Sequence, residues 1–178
     1  MGMLRRWSLK QISGWKLFGF GILITILDII FSIVVTLVMI NVFNIEPPDT
    51  VVMRIPMMAW YAIPLVLMII AIEELIFRFI PLTLAVSFWG HSTKVLIIAI
   101  LSSILFGLWH GSYHYVFIQG AGGFLYCIMF LKSGGFEKRF IRAGMVCLSL
   151  HTAFNAVVII LSFMTGNTTI PVRLPFNF

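Results

Sequence analysis

Glu73 and Glu74 stand side by side in an apolar stretch, and Arg78 follows the second by four residues. Helical neighbours point about 100° apart, whereas residues four apart share a face. Arg78 can therefore pair with Glu74, while Glu73 points elsewhere. Repulsion between adjacent carboxylates divides their roles: the paired one stays ionised, and the other becomes available as a general base. Two further pairs repeat the four-residue spacing, Phe106 with His110 and His151 with Asn155. An imidazole and a carboxamide presented to one point suit donation to a developing oxyanion. Together these side chains point to acid–base chemistry at a carbonyl.

The elements that must position them are set by composition. The chain has 178 residues, 61% hydrophobic and 10% charged, with mean hydropathy +1.08, against about 25% charged in soluble domains. A water-soluble fold is excluded. A bilayer core about 30 Å thick needs about 20 apolar helical residues, and uncharged stretches run from Ile55 to Ile72, Val95 to Leu131 and Ala143 to Val172. The expected fold class is all-α, a polytopic membrane helical bundle forming a single integral membrane domain over 1–178. Its catalytic core is expected at about 55–165, after an N-terminal helix and external turn in 1–54.

Five spans are expected. The first covers 17–42, and Pro47-Pro48 stops the chain in a turn at 44–49. The second runs over 55–89, too long for one straight crossing, with a break expected at Pro81. Gly111-Ser112 divides the longest uncharged stretch into spans at 94–109 and 115–131, both short enough to suggest local thinning or a partly re-entrant segment. The last span is 143–164. A cytoplasmic N-terminus puts Arg5, Arg6, Lys10, Lys16, Lys94, Lys132, Lys138, Arg139 and Arg142 inside, with Arg54 and Arg173 outside, the sense of the positive-inside rule. The net charge of +6 has its explanation there, and nucleic acid is not expected as a partner. Cys127 and Cys147 lie in apolar stretches without metal-ligand spacing.

Each ionisable group at mid-bilayer costs at least about 2.5 kcal/mol on insertion scales, so a cluster of them points to function. Glu-Glu-x-x-x-Arg at 73–78, Phe-x-x-x-His at 106–110 and His-x-x-x-Asn at 151–155, in this order on separate helices, resemble the CPBP family, the CAAX proteases and bacteriocin-processing enzymes also called Abi. The resemblance extends from Glu73 to Asn155. It implies an intramembrane endopeptidase in which Glu73 and His110 activate water, and His151 and Asn155 hold the oxyanion. Glu74, Arg78 and Phe106 then serve as supporting residues. One departure is Phe79, where the family often has Gly. The implied partners are a membrane-associated peptide or protein substrate, the bilayer, and a helix–helix partner within the membrane. A multi-pass protein of a bacterial cell membrane fits this picture.

Competing readings are a non-catalytic bacteriocin-immunity or sensor-partner protein and a proton-coupled transporter. The transporter reading is weakened by the lack of an inverted repeat. No cofactor is expected. Zinc at Glu73, His110 and His151 is the less favoured alternative, because metal-bound nitrogen cannot also donate to an oxyanion. His110 and His114 have zincin-like spacing but lack the zincin glutamate. Asp28, alone in the first span, is expected to pair with an Arg or to bond a neighbouring helix. Gly120, Gly122 and Gly123 are expected to let helices approach closely.

Overall fold

The computed structural model describes residues 12, 14–44, 52–56, 61–164 and 169–173. Arg5, Arg6, Lys10 and residues 45–49 of the expected external turn lie outside the described residues. The helices are α1 (Trp15–Asn41), α2 (Ala62–Glu74), α3 (Ile80–Trp89), α4 (Thr93–Trp109), α5 (His114–Lys132) and α6 (Phe140–Met164). A π-helical turn, Leu75–Phe79, joins α2 to α3. Over the described residues the protein is an all-α bundle of five helical rods with one short β ribbon, in which β1 (Val52–Pro56) pairs antiparallel with β2 (Thr169–Arg173).

Among the described residues three helices are long and apolar enough to cross a membrane, α1, α5 and the Phe140–Leu161 part of α6; α4 is apolar but shorter. The 27 residues of α1 extend about 40 Å at 1.5 Å each. The bundle turns large apolar side chains outward. Phe18, Ile63, Leu105 and Ile160 are each more than half exposed, a surface that would aggregate in water and that hydrocarbon accepts. Leu82, Val86, Val95, Ala99, Phe130 and Cys147 fill the interior.

Two expectations are corrected. The second span does not begin at 55: Ile55 and Pro56 belong to β1, and the helix starts at Ala62. The ribbon instead brings the start of α2 and the end of α6 to one end of the bundle. Nor does the chain break at Pro81. The helix runs on through the π turn, and Pro81 sits in the first turn of α3. A proline removes the hydrogen bond to the carbonyl four residues upstream and crowds it, so its effect falls on Phe77, inside the π turn. The Ser102 hydroxyl of α4 donates to that carbonyl, satisfying the group that Pro81 leaves without a donor.

The α4–α5 hairpin packs backbone against backbone. A methyl group at Gly107 would come within 2.5 Å of Val116 Cα, and one at Gly120 within 2.9 Å of the Ser103 carbonyl oxygen. Such contact is the close approach that small residues permit between membrane helices. Gly111 turns the link between them with φ 93°, a conformation that favours glycine. Ser92 caps α4, its Oγ accepting from the Lys94 amide at 3.1 Å.

Candidate active site

The site is built where the π turn meets α4, α5 and α6. A π turn inserts a residue into the helical repeat and re-aims the side chains beside it, which is why such turns recur at functional sites. Glu73 and Glu74 close α2, and Arg78 lies within the turn. Arg78 Nη1 donates to Glu74 Oε1 in a buried ion pair. The guanidinium is almost fully enclosed, 1% exposed, with its Cζ 4.2 Å from the Phe106 ring centroid and 5.4 Å from that of Tyr126. Desolvated cation–π contacts of this kind add to what holds Arg78 in place.

His151 reaches this pair from α6. Its Nδ1 lies 2.8 Å from Glu74 Oε1, and its Nε2 lies 3.8 Å from Glu73 Oε2. One imidazole therefore spans both glutamates. The Tyr126 ring lies beside it, 5.6 Å away and inclined by 23°, and Phe106 meets it edge-on at 6.1 Å. Asn155, one turn further along α6, donates through Nδ2 to the His151 carbonyl at 3.1 Å. The amide has a second N–H.

His110 closes α4, with its Nδ1 2.8 Å from the Phe106 carbonyl oxygen. A carbonyl only accepts, so Nδ1 carries the proton, and in the neutral ring the basic lone pair is on Nε2. Phe106 contributes twice, through this carbonyl and through a ring 4.8 Å from the imidazole. Phe77 packs between Phe106 and Trp109 at 5.5 and 5.4 Å, fixing the end of α4 against the π turn.

The structure thus joins Glu73, Glu74, Arg78 and His151 directly. Phe106 links them to His110, and Asn155 is tied to the backbone of His151. Among the described residues no three of His, Cys, Asp and Glu are gathered to hold a metal ion. Sequence spacing does not disclose Tyr126, which is buried against His151, or Ser102. A signal for Tyr126 does exist. It follows Gly122 by four residues and Gly123 by three, on the same face of α5. A methyl group at Gly123 would come within 2.9 Å of Phe106 and 3.3 Å of Arg78 Nη2, so that face is cut back to admit the site.

Residues 55–157 match the family described as type II CAAX prenyl endopeptidase Rce1-like. The chain belongs to this family. The match contains every residue of the three motifs, from Glu73 to Asn155, and excludes α1. No curated protein and no solved structure matches the chain. At family level the activity is that of a CAAX-type peptidase, and with the long apolar helices it belongs in a membrane.

Proposed function

We propose that the protein is an intramembrane endopeptidase that hydrolyses a peptide bond in a membrane-associated peptide or protein. The observation that carries this reading is the unequal engagement of the two glutamates. Glu74 is held by both Arg78 and His151, whereas Glu73 has His151 Nε2 at 3.8 Å and the more exposed carboxylate, 13% against 7%. Glu74 is a fixed part of the scaffold and Glu73 is the acid available for proton transfer.

In this reaction Glu73 and the Nε2 lone pair of His110 polarise a water molecule. Glu73 takes its proton as the oxygen attacks the substrate carbonyl. The carbonyl oxygen becomes an oxyanion, stabilised by donors already in place rather than by solvent that must reorganise. In the form with a proton on each nitrogen, His151 keeps its bond to Glu74 through Nδ1 and offers Nε2–H to the oxyanion. Asn155 offers the second N–H of its amide. Glu73 then returns the proton to the leaving nitrogen, the C–N bond breaks as the oxyanion collapses, and a carboxylic acid and an amine form, the acid passing its proton to the amine as they are released.

The proposed orientation has the N-terminus cytoplasmic and the C-terminus external in a bacterial cell membrane, supported by the distribution of Lys and Arg between spans. A prenylated C-terminal tail is the substrate that the family suggests first. The test is comparative peptidomics of membranes carrying either the wild-type protein or Glu73→Gln at equal abundance. A set of cleavage products present with the first and missing with the second is expected. Identical peptide profiles would refute the reading.

A further inference from the structure

α1 lies outside the matched region, yet it sends an acid towards the site. Its buried residues are Gly21, Ile24 and Asp28, spaced three and four apart, so they form one stripe facing the bundle. Gly21 sits opposite Leu150 of α6; a methyl group there would lie 2.9 Å from the Leu150 Cδ2. Asp28 lies against Gly122 of α5, where a methyl group would overlap its carboxyl group. Docking a helix requires apolar or small residues at these positions, and a carboxyl group in hydrocarbon is costly. Asp28 is nevertheless only 4% exposed, and Gly122 is trimmed to a hydrogen to let it in.

Beyond Gly122, Tyr126 is the polar side chain next to Asp28, and the charged groups within electrostatic reach of its carboxyl are His151 and Arg78. Tyr126 follows Gly122 by one turn of α5, so the Asp28 carboxyl, seated against Gly122, lies on the face that carries Tyr126, across the contact between α1 and α5. The Tyr126 hydroxyl is buried and lies outside ordinary hydrogen-bond geometry with any partner, which makes the nearby carboxyl its natural acceptor. The same Tyr126 ring lies beside the His151 imidazole and beneath Arg78. Asp28 is thus connected to the reacting centre through a single side chain.

We propose that Asp28 and Tyr126 are a positioning pair for His151. The carboxyl of Asp28 restrains the Tyr126 hydroxyl, and the Tyr126 ring fixes the plane in which His151 spans Glu74 and Glu73. The inference rests on the peptidase reading for its catalytic consequence, though not for its geometry. It makes α1 part of the working site and not merely an anchor.

The experiment uses the full chain in nanodiscs with 15N-labelled histidine, comparing wild type, Asp28→Asn, Tyr126→Phe and the double variant. The ring-nitrogen signals of His151, assigned by their loss in His151→Gln, are expected to shift in both single variants. Those of His91, away from the site and stacked on Phe136, are expected to stay. Cleavage of a quenched fluorescent farnesylated CAAX peptide is followed in parallel. Misplacing a catalytic group by about 1 Å can cost on the order of 100-fold, so kcat is expected to fall about 10- to 100-fold with KM within about twofold. The double variant should be no worse than the poorer single, since both act through one contact. His151 signals superimposable on wild type in both single variants would overturn the proposal, even if the protein lost stability. If Asp28→Asn does not accumulate, Tyr126→Phe, which removes one oxygen, decides alone. If the peptide is not cleaved, the prenylated tail is not the substrate, and if Glu73→Gln remains active, the peptidase reading fails; in either case the His151 signals still decide the positioning.

Discussion

His151 Nδ1 stands 2.8 Å from Glu74 Oε1, tying α6 to the last turn of α2 across the middle of the bundle. The same carboxylate oxygen accepts from Arg78. Glu74 thus carries two structural bonds, and Glu73, one residue earlier, has His151 Nε2 at 3.8 Å. In the proposed reaction this asymmetry divides two identical side chains into a support and a reactive group.

The two glutamates should therefore respond differently to the same substitution. Glu73→Gln is expected to abolish cleavage while leaving the thermal midpoint close to wild type, because it takes little from the packing. Glu74→Gln strands the buried Arg78 charge and weakens the hold on His151, and breaking a buried pair costs about 3 to 5 kcal/mol. Thermal unfolding in detergent separates them. Equal destabilisation in both variants would contradict this division of labour.

Ser102 and Pro81 are coupled through one carbonyl. Ser102→Ala leaves the buried Phe77 oxygen without its donor, and an unsatisfied buried acceptor costs about 1 to 3 kcal/mol. Pro81→Ala restores a backbone N–H in reach of that oxygen. The double variant Pro81→Ala/Ser102→Ala is expected to regain much of the stability lost in Ser102→Ala alone. A thermal-shift cycle checks this, and additive losses would show that Ser102 acts by another route.

Much of the fold was legible because the bilayer enforces a simple rule. Uncharged stretches of sufficient length become helices: expected spans at 94–109 and 115–131 are found as Thr93–Trp109 and His114–Lys132. The pairing of Glu74 with Arg78 followed from helical spacing, which survives the π turn. What spacing cannot give is the contact between helices. His151 reads from sequence as the neighbour of Asn155, because they share a face, yet its ring turns across the bundle to the two carboxylates, where its nitrogens find partners. The position of the helical irregularity was also hidden. Proline announces itself at 81, but the donor it lacks is missed four residues upstream, at a carbonyl that takes a hydroxyl from another helix.

The orientation in the membrane can be tested directly. With Lys16, Lys94, Lys132, Lys138, Arg139 and Arg142 assigned to the cytoplasmic side, a reporter fused after Lys138 should read cytoplasmic and one fused after Phe178 external. The ribbon of β1 and β2 holds the start of α2 and the end of α6 together, so a reporter inserted at residues 57–60 should read on the same side as the C-terminal one. Opposite readings from those two sites would be incompatible with the ribbon. A uniform inversion would leave the fold intact and reverse the face from which substrate approaches.

The last prediction concerns metal. A catalytic zinc ion is held by three protein ligands and keeps an open position for water. His151 Nε2 and Glu73 Oε2, 3.8 Å apart, are two donors near one another. His110 does not join them in a three-donor group among the described residues. Nδ1 of His151 is already bonded to Glu74, and binding a metal through Nε2 would remove the N–H assigned to the oxyanion. Cleavage is therefore expected to proceed unchanged after purification in a strong chelator. Zinc added afterwards should give no stimulation. The measurement is activity against metal content by elemental analysis on the same preparation. One equivalent of zinc per chain, with activity lost on its removal and restored by zinc alone, would replace the glutamate–histidine water activation with a metal-bound hydroxide.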